Sequence, residues 1–247
     1  MNFCSNDYRF LQTCLKEVSV FSSQVLVPWS DHFFDGRPEN LELIQKTIDE
    51  NSAAEFVFLP YNSALGKPSQ HWVTLARWTA FQKVAEAVDY VLFLDADEIV
   101  EGQRFKSFLE QFPVTKFNVL KLANYYYFRE SRFQAVQFED SATLVRKSLI
   151  TESMVMDFED RNKAWEIISE PKQRMVFHAD GRPMIHHFSW VRTKAEMLRK
   201  VESWGHSHER NWVEMVEAEF SAEFSGKDFV HEYQYQFVEP PFPEIGL

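Results

Sequence analysis

Tyr90-Val91-Leu92-Phe93-Leu94-Asp95-Ala96-Asp97-Glu98-Ile99-Val100 is the stretch that decides the fold. An apolar run of strand length breaks into Asp95-Ala96-Asp97-Glu98, three acids in four residues. A run apolar on both faces predicts a buried strand in a parallel sheet covered by helices. Open α/β sheets bind ligands outside the carboxyl ends of their strands, which is where these acids fall. On an extended chain, residues i and i+2 point to the same side. Two ionised carboxylates placed that way repel unless a proton or cation lies between them. A hard divalent ion with oxygen ligands suits such a pair. The plainer alternative is a solvated strand end or a helix N-cap.

Before this stretch the chain alternates. Met1 to Cys4 is a short strand candidate, closed by the turn signal Ser5-Asn6-Asp7. Phe10, Leu11, Cys14, Leu15 and Val18 keep helical spacing over 8–20. Gln24-Val25-Leu26-Val27 reads as a strand, and Ser30 to Gly36 as a turn-rich loop. Pro38-Glu39-Asn40 opens a helix with Leu41, Ile44 and Ile48 on one face. A strand over 55–60 and a helix over 71–88 complete the series, and Asp89 ends that helix. Four β/α alternations predict parallel strands joined by right-handed crossovers.

After Val100 the pattern is mixed. A short helix over 103–112 precedes strands over 116–128 and 133–147, the second interrupted by Glu139-Asp140-Ser141. The charged stretch 151–182 resists assignment, and 184–190 reads as a late strand. Thr193 and Glu196 form a capping box for a long helix over 193–219, kinked at Gly205. An aromatic, Pro-rich tail covers 226–247. The expectation is one α/β domain over 1–247, Rossmann-like, with a mainly parallel central sheet and helices on both faces. Residues 1–100 form its ligand-binding half, and 101–247 a second half ending in the long helix and tail.

Composition narrows the function classes. The 247 residues are 45% hydrophobic and 26% charged, ordinary for a globular chain. The net charge of −11 argues against a nucleic-acid partner. An anionic ligand needs a metal or a local basic patch. Cys4 and Cys14 alone make no disulfide framework and suit a reducing compartment. No 18-residue apolar run is present, and no basic leader follows Met1. The expectation is a cytoplasmic protein without a transmembrane segment, compatible with peripheral membrane association.

The order of parts resembles the core of family 2 glycosyltransferases with the GT-A fold. Ala76-Arg77 in a helix, then a strand, then Leu94-Asp95-Ala96-Asp97 is similar to that family's "aRN…A…yi.fLDaDd" run. Asn6-Asp7 resembles its "Y-N-E" after the first strand. Asp31 and Asp35-Gly36 are spaced like the latter part of its "DDGSTDG" loop. The resemblance covers about residues 1–100. It departs at Ser30, where the family has the leading Asp, at Trp78, where it has Asn, and in the short first strand, which lacks its usual Pro.

The resemblance implies a nucleotide-sugar site. Asp31 and Asp35 match the family's base-contacting positions, and Arg77 its residue near the nucleotide. Asp95 matches the ribose- or metal-facing acid and Asp97 the ligand of a divalent metal, Mn²⁺ or Mg²⁺. It implies a nucleotide-diphosphate sugar as donor, a glycan, lipid or protein as acceptor, and inversion by in-line attack. Leaving phosphate develops negative charge, which a bound metal stabilises as a Lewis acid. The acceptor hydroxyl needs a general base, usually a carboxylate. Glu139 and Asp140 are the first candidates, with Glu98, Asp157, Glu159 and Asp160 competing.

His186-His187 offers a further metal ligand, since imidazole suits Mn²⁺. Neighbours on an extended chain face opposite sides, so only one of the two can reach the metal; His187 is favoured, with a core role as the alternative. His206 and His208 are candidates for a surface or acceptor groove, and Tyr125-Tyr126-Tyr127 for a sugar-stacking wall or alternate strand packing. His178-Ala179-Asp180 mimics a non-haem iron motif, but the all-β pattern of such sites is missing. Two other functions compete: a catalytically inactive nucleotide-sugar- or protein-binding module, and a Mg²⁺-dependent haloacid-dehalogenase-type phosphatase. Sequence alone also leads to the expectation that Asp97→Ala removes activity and leaves the fold intact.

Overall fold

The computed structural model describes residues 1–157, 159–204 and 209–247, the side chain of Asp160 excepted. In chain order its first half contains α1 (Tyr8–Val18), β1 (Leu26–Trp29), α2 (Leu41–Glu50), β2 (Glu55–Phe58), α3 (Ser69–Phe81) and β3 (Tyr90–Phe93). Next come β4 (Glu98–Val100), α4 (Gly102–Gln111), β5 (Val119–Leu122), β6 (Asn124–Phe128), β7 (Glu130–Glu139) and β8 (Thr143–Arg146). The rest comprises α5 (Glu152–Val155), α6 (Asp160–Ile167), β9 (Lys172–Val176), β10 (Ile185–Trp190), α7 (Lys194–Ser203), α8 (Trp212–Glu219) and β11 (Tyr235–Phe237).

The α/β class is as expected, with mixed sheets. β1 and β2 pair in parallel. A four-stranded sheet runs β3-β8-β5-β9 and a five-stranded sheet β11-β7-β6-β10-β4. β8 is antiparallel to both β3 and β5, while β9 is parallel to β5. In the larger sheet only β10 and β6 are parallel. The mainly parallel central sheet expected from the first half is therefore not what the second half builds. β8 returns to lie between β3 and β5, so local periodicity carries no trace of its direction.

The amino-terminal segment links the two smaller sheets. Asn2 forms a parallel bridge to Asp95. Asn2 N donates to Leu94 O at 3.1 Å, Ala96 N to Asn2 O at 3.0 Å, and the Met1 amine to Leu26 O at 2.9 Å. The spatial order is then β2, β1, the Met1–Phe3 segment, β3. Numbered along the chain this is 3-2-1-4, the arrangement whose reversal point makes a ligand crevice in doubly wound sheets.

VLFLDADEIV is two strands. β3 stops at Phe93, and Leu94–Asp97 cross from the four-stranded sheet to the five-stranded one, where β4 pairs antiparallel with β10. α1 buries Phe10, Leu11, Cys14, Leu15 and Val18 as its spacing requires. α2 is capped by Asn40, whose side chain accepts from Leu43 N at 3.1 Å. α3 ends at Phe81, short of the expected residue 88. There the Gln24 side chain donates to Lys83 O at 3.0 Å and accepts from Ala85 N at 2.9 Å, occupying groups a longer helix would bond internally. The expected 193–219 helix is α7 plus α8, the first with the full Thr193–Glu196 capping box and the second capped by Asn211. Gly205, His206 and His208 lie outside the described residues. Among the described residues no helix is long and apolar enough to cross a membrane.

Candidate active site at the strand crossing

Two arginines hold the first acid of the crossing. Arg77, on α3, donates from Nη2 to Asp95 Oδ1 at 2.7 Å. Arg161, on α6, donates from Nη2 to Asp95 Oδ2 at 3.2 Å and from Nη1 to both Glu98 oxygens at 2.8 and 2.7 Å. Glu98 is fully buried and also accepts the Asp95 backbone N–H at 2.8 Å, so it ties the crossing together from inside. Burial alone raises the Asp95 pKa, but Arg77 and Arg161 outweigh it and hold the carboxyl below its ordinary value.

Asp97 has two different sides. Its Oδ2 accepts from Arg192 Nη2 at 3.2 Å and Lys200 Nζ at 3.4 Å. The Arg192 side chain, 1% exposed, also donates to Asn6 O at 2.6 Å, Ser189 O at 3.0 Å and Asp7 Oδ1. Its Oδ1 faces His187 Nε2 across 3.9 Å, beyond hydrogen-bond reach. Burial pushes the Asp97 pKa up, and Lys200, His187 and Arg192 together bring it below the usual carboxylate value.

His187 and Glu139 continue the site across the larger sheet. His187 on β10 is opposite Glu98 on β4 and Tyr126 on β6. Asn124, two residues before Tyr126, is opposite Glu139 at the end of β7. Glu98, His187, Tyr126 and Glu139 thus share one face through the period of two. Among the described residues His187 Nδ1 has no hydrogen-bond partner, and it lies 3.7 Å from Glu139 Oε2. Burial lowers the His187 pKa, but Glu139, Glu98 and Asp97 reverse the direction and raise it. Burial raises that of Glu139, and His187, His231 and Tyr233 turn it downward. His231 and Tyr233 stand on a loop tied by Asp228, which accepts the N–H groups of Val230, His231 and Tyr233 and the Tyr235 hydroxyl.

Sequence-predicted pairs separate here. Glu139 and Asp140 both line the cleft, and Glu139 has its carboxylate near two imidazoles, those of His187 and His231. Asp140, 7% exposed, is in a bidentate pair with Arg174 at 2.8 and 2.9 Å, with Lys121 Nζ at 3.3 Å. His186 turns to the opposite face, its Nδ1 2.8 Å from the Tyr127 hydroxyl and its Nε2 3.1 Å from Glu101. Burial lowers its pKa, so the ring is neutral and Glu101 keeps Arg104 as its charged partner. Asp31 pairs with His32 at 2.9 Å and Asp35 with Arg37 at 2.7 Å. From that loop the cleft takes Phe33 and Phe34, whereas the sequence reading singled out the two acids. Glu159 lines the cleft, while Asp157 pairs with Lys163. Asp180 accepts from Arg182 and Arg104 in a turn. Tyr126 and Tyr127 are buried in alternate strand packing.

Sequence reasoning missed Arg161, Lys121, Arg174, Arg192 and Lys200. Arg161 lies in the charged stretch that resisted assignment, and its partners are over 60 residues away. Lys200 had a legible signal: it follows the capping box of α7 on the helix that leads away from β10. A chain of net charge −11 with acids at a buried strand end needs cations brought from elsewhere.

The residues enclose a cleft of about 740 Å³, within the range of small-molecule sites. Two buried amide oxygens on its wall, Asn2 Oδ1 and Asn6 Oδ1, have no donor among the described residues. Among the described residues no group of three or more His, Cys, Asp and Glu side chains forms a metal cage. Asp97 Oδ1 and His187 Nε2 are an oxygen and a nitrogen donor of the kinds Mn²⁺ accepts, and their 3.9 Å separation would have to close to roughly 3.0 Å for the two to take adjoining positions on an octahedral ion. Mg²⁺-like ions take one or two carboxylates and complete their shell with water and substrate phosphates. The donor set therefore fits as a partial site. No protein-family model matches the chain, and no curated protein matches it.

Proposed function

We propose that this chain is a metal-dependent glycosyltransferase of GT-A type, a hexosyltransferase that moves a sugar from a nucleotide-diphosphate sugar to a hydroxyl of a glycan, lipid or protein, with inversion. One observation carries the reading. An Asp-x-Asp crosses between two sheets at the reversal point of a 3-2-1-4 strand order and faces His187 and Glu139 over one cleft. The resemblance of residues 1–100, which shares that Asp-x-Asp, points the same way. The unpartnered oxygens of Asn2 and Asn6 are acceptors for hydroxyls of a ribose or sugar.

Mn²⁺ or Mg²⁺ held by Asp97 Oδ1 and His187 Nε2 would supply Lewis-acid neutralisation of the donor diphosphate. The chain's own groups do the rest. Lys200 and Arg192 fix Asp97 from its Oδ2 side, so Oδ1 is presented in one orientation. Arg77 and Arg161 keep Asp95 ionised and add positive potential to the cleft. Glu139, ionised and flanked by His187 and His231, takes the proton of the acceptor hydroxyl. The acceptor oxygen bonds the anomeric carbon as the bond from that carbon to the phosphate oxygen breaks, and the nucleoside diphosphate departs. In-line attack from the opposite side inverts the carbon.

The test is thermal stability with UDP or GDP, with and without Mn²⁺. Binding to the native state at about 100 times Kd adds about 2.7 kcal/mol, on the order of 5–10 °C in Tm for a chain of this size. A Mn²⁺-dependent rise with one nucleotide supports the transferase. No rise with any nucleotide, together with hydrolysis of phosphate monoesters, replaces it with the phosphatase. A rise without sugar transfer to any acceptor replaces it with the inactive binding module, a reading favoured by the guanidinium partners that Asp95 already has.

A further inference from the structure

One wall of the cleft is built by β5, β9 and α6, through Lys121, Arg174, Met175, Arg161 and Asn162. An irregular pairing shapes it. Leu120 on β5 is opposite Gln173 on β9, and Leu122 is opposite Val176. Lys121 alone therefore faces two residues, Arg174 and Met175, which is the count of a β-bulge. Met175 takes a φ of +52°, uncommon for a residue with a long side chain. Bulges next to functional sites re-aim side chains, and this one brings the Arg174 guanidinium and the Lys121 amine to the same carboxylate, Asp140.

The charges of the cleft fall into groups by contact. Among the described residues, Arg77 and Arg161 are matched by Asp95 and Glu98, and Arg192 and Lys200 by Asp97 and Asp7. Lys121 and Arg174 share the single carboxylate of Asp140, so this group keeps a positive charge in excess. Glu159, the remaining acid of this wall, is exposed at the rim and screened by solvent. Lys121 is 4% exposed. Its Nζ donates to Asn162 Oδ1 at 2.6 Å and reaches Asp140 Oδ1 at 3.3 Å, and its third hydrogen has no acceptor among the described residues. Burial lowers the Lys121 pKa, Asp140 opposes this, and Arg174 and Arg161 add to the lowering. An anion at that point relieves the crowding of like charges. Arg174 gives Nε and Nη2 to Asp140 and lies over the Trp165 ring, 5.8 Å from its centroid. Its Nη1 has no partner among the described residues, and the side chain is half-exposed.

We infer that Lys121 and Arg174 form an anion seat on the acceptor side of the cleft, which takes the phosphate of a phosphorylated sugar or polyol whose hydroxyl lies beside Glu139. The role of that hydroxyl rests on the transferase reading of the cleft; the seat itself rests on the two cations. Phosphate fits better than carboxylate. A carboxylate pairs best with a guanidinium fork, and the fork of Arg174 is already on Asp140. What remain are single donors on two separate cations, which the tetrahedral oxygens of a phosphate meet from different directions. Both cations are held in advance by Asp140, Asn162 and Trp165, so little side-chain freedom is lost on binding. The spacing suits such an acceptor. Asp140 follows Glu139, consecutive Cα atoms are about 3.8 Å apart and neighbouring side chains diverge, which sets seat and base on the order of 5–10 Å apart. A hydroxyl a few bonds from a phosphorus atom spans that range.

The experiment titrates glycerol phosphate into the full chain by calorimetry, at low ionic strength and without nucleotide or metal. Wild type is expected to bind, and Arg174→Gln and Lys121→Met to bind about tenfold more weakly. Arg182→Gln makes the same charge change in a turn outside the cleft lining and should bind as wild type does. Arg174→Gln alters a half-exposed side chain and keeps the test open if Lys121→Met fails to melt cooperatively. Binding should persist with UDP and Mn²⁺ present. Sedimentation with phosphatidylcholine vesicles, with and without phosphatidylglycerol, separates the sources: Arg174-dependent binding to the free ester assigns a soluble phosphate, and Arg174-dependent binding to the phosphatidylglycerol vesicles alone assigns a lipid headgroup. No binding in either arm overturns the inference, as does equal binding by Arg174→Gln and wild type. Displacement by UDP with Mn²⁺ also overturns it and gives the two cations to the donor phosphates. Arg174-dependent binding without sugar transfer to any acceptor keeps the seat and removes the transferase reading; a Mn²⁺-dependent rise in Tm with a nucleotide but no glycerol phosphate binding does the reverse.

Discussion

Replacing Asp97 tests how the crossing is held: the fold is expected to stay intact, as the sequence alone suggests, at a lower stability. Asp97→Ala removes the acceptor of two charge-assisted contacts, from Arg192 at 3.2 Å and Lys200 at 3.4 Å. Hydrogen bonds to charged groups contribute about 1.5–3 kcal/mol each. Arg192 keeps Asp7 and two carbonyl oxygens, so it is not stranded, and removal of the buried Asp97 carboxylate recovers its own desolvation cost. The net loss is then about 2–3 kcal/mol, at 2–4 °C per kcal/mol a fall on the order of 5–10 °C in Tm. Asp97→Asn keeps an acceptor oxygen of the same shape and loses about 1 kcal/mol. Differential scanning calorimetry at neutral pH should therefore rank wild type above Asn above Ala, each folded with a cooperative transition. A double-mutant cycle with Lys200→Met should show coupling of about 1 kcal/mol. An Ala variant melting within about 1 °C of wild type, with no coupling, would refute the claim that these cations fix Asp97. Both variants should lose the Mn²⁺-dependent part of nucleotide binding.

Glu139→Gln should lower transfer by at least about 100-fold with donor binding retained, whereas Asp140→Asn should cost about 2 kcal/mol through its buried Lys121 partner and leave turnover of the folded fraction intact; calorimetry and steady-state kinetics separate the two. His187→Ala should weaken Mn²⁺ affinity more than His186→Ala, and His186→Ala should lower Tm more, since it removes the ring bonded to Tyr127 and Glu101; isothermal titration with Mn²⁺ and a melt decide. Acid should destabilise the fold in a defined window. The folded pKa values of Asp95, Glu101 and Glu196 lie below their ordinary values, so their stabilisation is complete above the unfolded values near 4 and is lost as pH falls through the folded ones. Urea midpoints should decline as pH falls below about 4, beneath the range in which His186, His187 and the Met1 amine add their own pH dependence; a carboxylate-linked decline already complete at pH 5 would contradict the sign.

The first half was legible because its elements are local. Helical spacing from Phe10 to Val18 is a property of consecutive residues within one segment, and the 11-residue α1 follows it. The strand crossing was not legible, because Leu94 and Ile99 are both apolar and both buried although they lie on opposite sides of a change of sheet. A short apolar run states that it is buried and says nothing about which sheet buries it. Direction suffered for the same reason: β8 pairs with β3 across some fifty residues, and no periodicity within Thr143–Arg146 encodes antiparallel order. The cations were hidden for a third reason. Arg161 and Arg192 are ordinary charged residues in their own neighbourhoods, and they become site residues only where the fold carries them to Asp95, Glu98 and Asp97.

The division within dipeptides was legible only in part. Glu139-Asp140 and His186-His187 each join two chemically similar side chains, and composition cannot say which of them is engaged by close partners; both acids line the cleft. The period of two divides the histidines, and the end of β7 divides the acids. His187 shares a row with Glu98 and Tyr126, so His186 must face the other way, into Tyr127 and Phe188. Glu139 ends β7 opposite Asn124 and joins that row, and Asp140 begins the turn to β8, where Lys121 and Arg174 enclose it. One member of each pair is thereby placed among polar groups that leave it a reactive atom: Nε2 of His187, 3.9 Å from Asp97, and the Glu139 carboxylate, beyond 3.5 Å from either imidazole. The other member is saturated by close partners. The contrast between loosely held and saturated neighbours separates the candidate site from a structural ion pair here, and it is visible only once the strand register is known.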